Sequence, residues 1–171
     1  REHGVWFHVD GAYGGFAAML DDDAVIPADL RGLALADSVA VDPHKWLYAP
    51  LEAGCALVRD PALHRAAFSY HPPYYHFGVE ATNFVDLGPQ NSRGFRALKV
   101  WMAPRQVGRR GYLRMIGDDI ALARALYERL AVDPRFEVAT LGLSIATFRY
   151  VPDEYRPRIG EPAAEEYLNT L

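Results

Sequence analysis

The 171-residue sequence has little cysteine and no long hydrophobic run, and each absence excludes a class of protein. Cys55 is the only cysteine, which rules out an internal disulfide framework and is typical of a reducing cytoplasm. No apolar run reaches the roughly 18 residues that a membrane-spanning helix needs. A Gly-x-Ser-x-Gly elbow is also missing, which excludes an α/β-hydrolase. We therefore expect a cytoplasmic protein that does not bind a membrane.

Neither positive charge nor metal-binding side chains are concentrated anywhere in the sequence. The net charge is −4, and the arginines are scattered among 22 acidic residues, which argues against nucleic acid as a partner. His8 and Asp10 alternate along one strand pattern without a third ligand, so we expect no metal. The chain begins and ends inside patterns typical of packed elements, and we therefore expect a segment of a longer polypeptide.

Lysine is scarce as well, because Lys45 and Lys99 are the only two lysines among the 18 Lys and Arg residues. Lys45 follows a short apolar run and a histidine in the stretch VAVDPHKWLYAP. Arginine does not act as an amine nucleophile in proteins because its guanidinium stays protonated. A solvated surface lysine is the alternative interpretation, and the apolar flanks and the adjacent tryptophan argue against it.

The first part of the sequence alternates strand and helix patterns, which is typical of a parallel α/β sheet. A buried strand is predicted over 5–10, ending at Asp10 and followed by the small-residue turn GAYGG. The remaining elements predicted in this part are a helix at 27–36, strands at 37–43 and 55–60, a helix at 61–68 and a long ordered loop at 69–92.

The second part has the pattern of an α+β domain. Helical periodicity runs from 92 to 107, breaks at Gly108 and Gly111, and resumes from 112 to 131. Two strands with Gly142 in the turn between them follow, and then a further helix begins. These patterns predict a boundary near Gly108, with one domain over 1–107 and the start of a second over 108–171.

Asp10 and Lys45 lie 35 residues apart, about the length of one strand–helix–strand unit. If the two strands are parallel neighbours, both residues emerge at the same edge of the sheet, where α/β folds bind ligands. A lysine amine and a carboxylate are the groups that a protein contributes to pyridoxal phosphate chemistry. A simpler interpretation is that Asp10 only caps the turn that follows it.

The stretches WFHVDGAYGG, DSVAVDPHKW and SRGFRALKVWM closely resemble the group II pyridoxal-phosphate-dependent amino-acid decarboxylases. The resemblance implies an α/β subunit of fold-type I, similar to aspartate aminotransferase. It places 1–107 in the second half of the cofactor-binding large domain and 108–171 at the start of an α+β small domain. The implied reaction converts a small-molecule L-amino acid to an amine and carbon dioxide, in a homodimer.

Individual roles follow from the same resemblance. Lys45 corresponds to the lysine that forms the Schiff base with pyridoxal 5'-phosphate, and Asp10 to the acid that pairs with the ring nitrogen. Lys45, His44 and Asp10 are thus the predicted catalytic residues. Ala12 is expected to pack against the cofactor ring, and His44 and Asp42 to lie near the phosphate. Relatives often have asparagine at the position of Asp42, where a carboxylate would repel phosphate.

Ser38 is a further predicted cofactor-binding residue in the same neighbourhood. The resemblance also leaves two alternatives open. Phe84 stands near the position of a tyrosine that protonates Cα in many relatives. Either Tyr70, Tyr74 or Tyr75 serves instead, or the register of the resemblance is off by a few residues, or the product is an aldehyde. The family's main phosphate-binding loop precedes Arg1, which raises the alternative of a non-catalytic truncated fragment.

Overall fold

The computed structural model describes residues 3–20, 26–74 and 82–170, and these divide into two compact units. The first unit contains the described residues within 1–16 and 29–108, and the second those within 17–28 and 109–171. The chain leaves the first unit for the last time at Gly108. None of the helices in the described part is long and apolar enough to span a membrane.

The first unit is built on a three-stranded sheet of β1 (His8–Asp10), β2 (Ser38–Val41) and β3 (Cys55–Val58), in that order. β1 and β2 are parallel, as the strand–helix–strand spacing predicts, whereas β3 is antiparallel to β2. A 3-10 helix, Ala28–Leu35, occupies the place of the helix predicted at 27–36. The predicted strands are therefore present, but each is shorter than its sequence pattern.

The prediction that β1 is buried is wrong for the described structure. Val5, Trp6 and Phe7, which lead into the strand, have 70%, 50% and 45% of their surface exposed. β1 lies at one edge of the three-stranded sheet, so its outer edge has no strand beside it among the described residues. An apolar run predicts that a strand has a face to bury, but it does not say which segment of chain covers that face.

Two short helices of the first unit begin at prolines. α1 (Pro43–Trp46) starts inside the strand predicted at 37–43, because proline suits the first turn of a helix. α2 (Pro61–Phe68) has the predicted bounds. Its cap is Asp60, whose Oδ1 accepts hydrogen bonds from the backbone amides of Ala62 and Leu63 at 2.8 and 3.1 Å.

The loop predicted at 69–92 contains a 3-10 helix, Phe84–Leu87, in its described part. Tyr75 lies outside the described residues, so the structure bears on Tyr70 and Tyr74 among the tyrosines considered above but not on Tyr75. Both of those side chains are largely exposed.

A long helix, α3 (Arg96–Ala131), follows, and it has non-helical geometry at Gly108. Gly108 has φ +71° and ψ 161°, a region that is essentially restricted to glycine. The prediction of a second break at Gly111 is wrong, since that residue lies within the helix. A helical glycine costs only about 1 kcal/mol relative to alanine, which the packed helix tolerates.

The second unit packs the C-terminal part of α3 with a hairpin and a short helix. Buried α3 residues recur at steps of four, four and three, which is the predicted amphipathic period; they are Tyr112, Ile116, Ile120 and Ala123. Ala17, Val151, Ala164 and Leu168 are also buried in this unit, the last two of them from α4 (Pro162–Leu168).

The hairpin consists of β4 (Phe136–Gly142) and β5 (Ile145–Tyr150), which pair antiparallel as predicted. Gly142 is not in the turn but ends β4 and pairs with Ile145. The positive φ of the hairpin turn, +50°, falls on Leu143. The glycine pattern therefore located the turn to within one residue.

Candidate active site

The carboxyl ends of β1 and β2 lie side by side in the first unit. Asp10, the last residue of β1, is paired with Ala40 in β2. Backbone hydrogen bonds continue beyond the paired strands: the amide of Gly11 donates to Ala40 O at 2.9 Å, and the amide of Asp42 donates to Ala12 O at 3.1 Å. The segments that carry the predicted site residues are therefore joined by main-chain bonds at one edge of the sheet.

Glycines allow this close approach. A Cβ atom added to Gly15 would lie 2.9 Å from Cγ1 of Val41, and one added to Gly11 would lie 3.2 Å from Ala40 O. The turn is closed by a hydrogen bond from the amide of Gly15 to Gly11 O at 2.8 Å. The small residues of GAYGG thus serve a steric purpose, which is to let the turn after β1 pack on the end of β2.

Asp10 takes part in this turn. Its Oδ1 accepts a hydrogen bond from the backbone amide of Ala12 at 3.0 Å, an Asx-type contact. The turn-capping interpretation of Asp10 is therefore correct for one carboxylate oxygen. Because Oδ1 is used in the turn, a ligand-binding role for Asp10 depends on its other oxygen, Oδ2. The same hydrogen bond holds Ala12 directly beside the carboxylate.

Lys45 lies one turn along α1 from Asp42. Its Nζ is 2.9 Å from Oδ2 of Asp42, and 37% of its side chain is exposed. Nε2 of His44 is 3.8 Å from the same carboxylate oxygen. Lys45 and His44 are thus grouped around the carboxylate of Asp42, and the Lys45 side chain is partly exposed.

The neighbours of Lys45 in the HKW sequence are held in place on both sides. Nδ1 of His44 is 2.7 Å from the carbonyl oxygen and 3.0 Å from the amide nitrogen of Ala53, so either tautomer finds a main-chain partner there. Trp46 is buried and its ring packs against Tyr13 at a centroid distance of 4.8 Å. The rigid flanks therefore fix the direction in which the lysine leaves α1.

Ser38 is placed at the other end of β2. Its Oγ accepts a hydrogen bond from Trp6 Nε1 at 2.8 Å and lies 2.7 Å from Nδ1 of His8. Asp42 is four positions after Ser38, which corresponds to about 13 Å along a strand. The structure therefore does not bring Ser38 to the group around Lys45. In the described part of the chain, no set of three or more potential ligands could hold a metal ion.

A buried carboxylate in the loop before α3 is a feature that the sequence patterns missed. Asp86 is 2% exposed, with Oδ1 2.6 Å from Nε2 of His71 and 3.2 Å from Oγ of Ser69, and Oδ2 2.8 Å from Nη2 of Arg65. The hydrogen bond from His71, followed by those from Ser69 and the charge of Arg65, holds the pKa of Asp86 below its ordinary value. The sequence feature that could have indicated this buried carboxylate is the aspartate within the apolar stretch NFVDLG.

This network anchors the 3-10 helix that begins with Phe84. The carbonyl oxygen of Phe84 also accepts a hydrogen bond from Nη2 of Arg93 at 2.9 Å. Phe84 as a residue is 62% exposed. Nearby, the guanidinium of Arg96 binds the carboxylate of Glu52 and lowers the pKa of that group. The backbone at Phe84 is thus fixed while its side chain faces outward.

Comparison with known proteins identifies relatives along nearly the whole chain. Residues 1–151 match the family model described as "Pyridoxal-dependent decarboxylase conserved domain". An aromatic-L-amino-acid decarboxylase of Bacillus atrophaeus is 37% identical over 159 residues, which cover 90% of this chain and 32% of the relative. A 4-hydroxyphenylacetaldehyde synthase of Rhodiola rosea is 33% identical over 138 residues, 81% of this chain and 28% of the relative.

Among solved structures, Oryza sativa TDC with PLP and tryptamine superposes with a TM-score of 0.85 at 29% identity. That match covers 99% of this chain and 35% of the rice chain. The chain thus spans about a third of the length of the relatives it matches.

Proposed function

The chain belongs to the pyridoxal-dependent decarboxylase family, and on that premise we propose that it supplies part of the active site of an enzyme that converts an L-amino acid to an amine and carbon dioxide. Membership bears out the predicted α/β fold of fold-type I and pyridoxal phosphate as the cofactor. One observation carries the proposal for this chain: β1 and β2 are parallel neighbours that end in Asp10 and in the segment leading to Lys45.

The residues at this edge of the sheet suit two parts of pyridoxal 5'-phosphate, its aldehyde and its ring nitrogen. Lys45 offers an accessible primary amine for the aldehyde, and Asp10 offers a carboxylate oxygen outside its turn for a protonated ring nitrogen. Ala12 adds a small side chain beside that carboxylate. The phosphate end fits less well, because Asp42 is an acid. These properties support roles for Lys45 and Asp10 more strongly than a phosphate contact by Asp42 or Ser38.

In the proposed mechanism, the bound cofactor supplies the electron sink that allows the bond between Cα and the carboxylate to break. Lys45 holds the cofactor through its amine and takes it back after each turnover. Asp10 keeps a proton on the ring nitrogen by placing a negative charge beside it. His44, fixed by Ala53, keeps the lysine-bearing turn of α1 in position.

A second outcome on the same scaffold is oxidative formation of an aldehyde. Phe84 has no proton to donate, so it cannot protonate Cα itself. The Rhodiola rosea relative is named for such a product. Plain decarboxylation remains the primary proposal. Another lyase reaction on the same scaffold would give a product that is neither the amine nor the aldehyde.

We further propose that the full-length enzyme is a cytoplasmic homodimer. The exposed apolar side chains before β1 support association with further protein surface, and the single cysteine supports a reducing compartment. The 171-residue segment by itself is expected to bind the cofactor weakly and to be inactive, because it spans only about a third of the length of its relatives. Light scattering of the full-length protein tests the dimer.

Borohydride reduction of the full-length protein with its cofactor tests the central assignment. Peptide mapping should locate the reduced cofactor on Lys45, and Lys45→Arg should abolish both the label and turnover, while Lys99→Arg retains them. Product analysis against a panel of L-amino acids then distinguishes amine from aldehyde. A label on Lys99, or none in protein with Lys45 intact, would contradict the proposal.

A further inference from the structure

Asp42 is the N-cap residue of α1 but does not cap the helix with its side chain. An aspartate at this position ordinarily accepts a hydrogen bond from a backbone amide in the first turn. Here Pro43 occupies the first turn, and the carboxylate instead places Oδ2 at 2.9 Å from Nζ of Lys45. The side chain thus gives up its usual contact for an ion pair with the lysine.

The surroundings of the carboxylate hold it in this position. Nε2 of His44 is 3.8 Å from Oδ2, and the other ring nitrogen of His44 is fixed by Ala53. Gly54 also lies beside the carboxylate, since a Cβ atom there would be in van der Waals contact with Oδ1 at 3.4 Å. Asp42 is only 23% exposed, so the pair with Lys45 is less hydrated than a surface pair.

We propose that Asp42 is the resting counter-ion of Lys45 and that the cofactor must displace this pair in order to attach. The proposal rests on the proposed function, because it takes Lys45 as the point of attachment. Attachment forms a C=N bond between Nζ and the aldehyde carbon and releases one water, with one ammonium proton kept on the nitrogen. The nitrogen keeps its positive charge but is drawn to the cofactor and away from Asp42.

The consequence is that Asp42 weakens cofactor binding in two additive ways. Any aldehyde that attaches to Lys45 breaks the ion pair, whether or not the aldehyde carries a phosphate. A phosphorylated aldehyde also brings a second anion toward the abandoned carboxylate, which is repulsive. Removal of the charge at position 42 should therefore tighten binding of both pyridoxal and pyridoxal phosphate, and the phosphorylated form should gain more.

The experiment measures dissociation constants by absorbance titration of the full-length protein after cofactor removal, with pyridoxal and pyridoxal phosphate as probes. Asp42→Asn should lower the dissociation constant for pyridoxal phosphate roughly tenfold and that for pyridoxal by about threefold. Asp42→Ser should behave in the same way, and it keeps a residue able to cap α1 if the asparagine variant folds poorly.

Glu52→Gln is the matched control, because Glu52 is a carboxylate of the same unit that pairs with Arg96 and not with Lys45. Its dissociation constants should stay within twofold of the parent protein. Unchanged or weaker binding in both Asp42 variants would overturn the counter-ion proposal. Tighter binding of pyridoxal phosphate with unchanged binding of pyridoxal would also overturn it. That result would show that Asp42 repels the phosphate but that breaking its ion pair with Lys45 costs nothing.

Borohydride labelling in the same samples separates this inference from the proposed function. If Lys45 carries no label in the parent protein, the assignment of the attachment site fails, and the counter-ion proposal fails with it. If Lys45 is labelled in parent and variants but binding does not tighten in the variants, only the counter-ion proposal fails.

Discussion

Substitution of Gly15 by alanine tests whether the turn after β1 controls the geometry of the candidate site. The added Cβ would lie 2.9 Å from Cγ1 of Val41, closer than such contacts are normally found. Val41 is buried at the end of β2, immediately before Asp42, so it cannot simply turn into solvent. We expect Gly15→Ala to lower the free energy of unfolding by about 1–3 kcal/mol through overpacking.

A double-mutant cycle identifies the cause of that loss. Val41→Ala alone removes two buried methyl groups, which should cost about 2 kcal/mol when the residual cavity is included. In the double variant the new methyl group occupies part of the space that Val41 vacates. We therefore expect the double variant to be more stable than the sum of the single effects by about 1–2 kcal/mol.

The measurement is urea unfolding of the full-length protein, followed by tryptophan fluorescence and circular dichroism. Gly117→Ala is the control, because it lies in α3 with open space around it and should stabilise the helix by up to about 1 kcal/mol. Additive effects of Gly15→Ala and Val41→Ala, or a neutral Gly15→Ala, would refute the steric explanation of the glycine turn.

Three further predictions concern other parts of the chain. Ile116→Ala should destabilise by about 2–5 kcal/mol in the same urea assay, since Ile116 is fully buried in α3; a loss below 1 kcal/mol would contradict that packing. Gly108→Ala should cost about 1–3 kcal/mol because of its backbone angles, in contrast to Gly117→Ala. The pKa of Asp86 in the folded protein lies below the ordinary value of 3.8. The ionised carboxylate therefore stabilises the fold above pH 3.8, and this stabilisation is lost as the pH falls through the lowered pKa. The stability difference between parent and Asp86→Asn should therefore be largest near neutral pH and shrink below pH 4 in thermal unfolding; a pH-independent difference would contradict it.

Local patterns predicted the elements whose ends are determined by adjacent residues. α2 has the predicted bounds because Asp60 caps its first turn and Pro61 suits its first position, both local effects. The β4–β5 hairpin and the helical period of α3 over 112–131 followed from pattern alone. Errors arose where residues of the same type have different conformations. Gly108 interrupts α3 and Gly111 does not, and the sequence alone does not give their backbone angles.

For the candidate site, the sequence by itself determined which groups are available, namely an amine at Lys45, a carboxylate at Asp10 and glycines between them. Chemistry follows from residue type, and spacing predicted parallel strands that end together. Only the tertiary structure decided which groups meet. It placed Asp42 on Lys45, kept Ser38 at the far end of β2, and buried Asp86 among three residues from the preceding segment. Those contacts depend on side-chain direction and on chain segments brought together across many residues, which a pattern of apolar and polar positions does not encode.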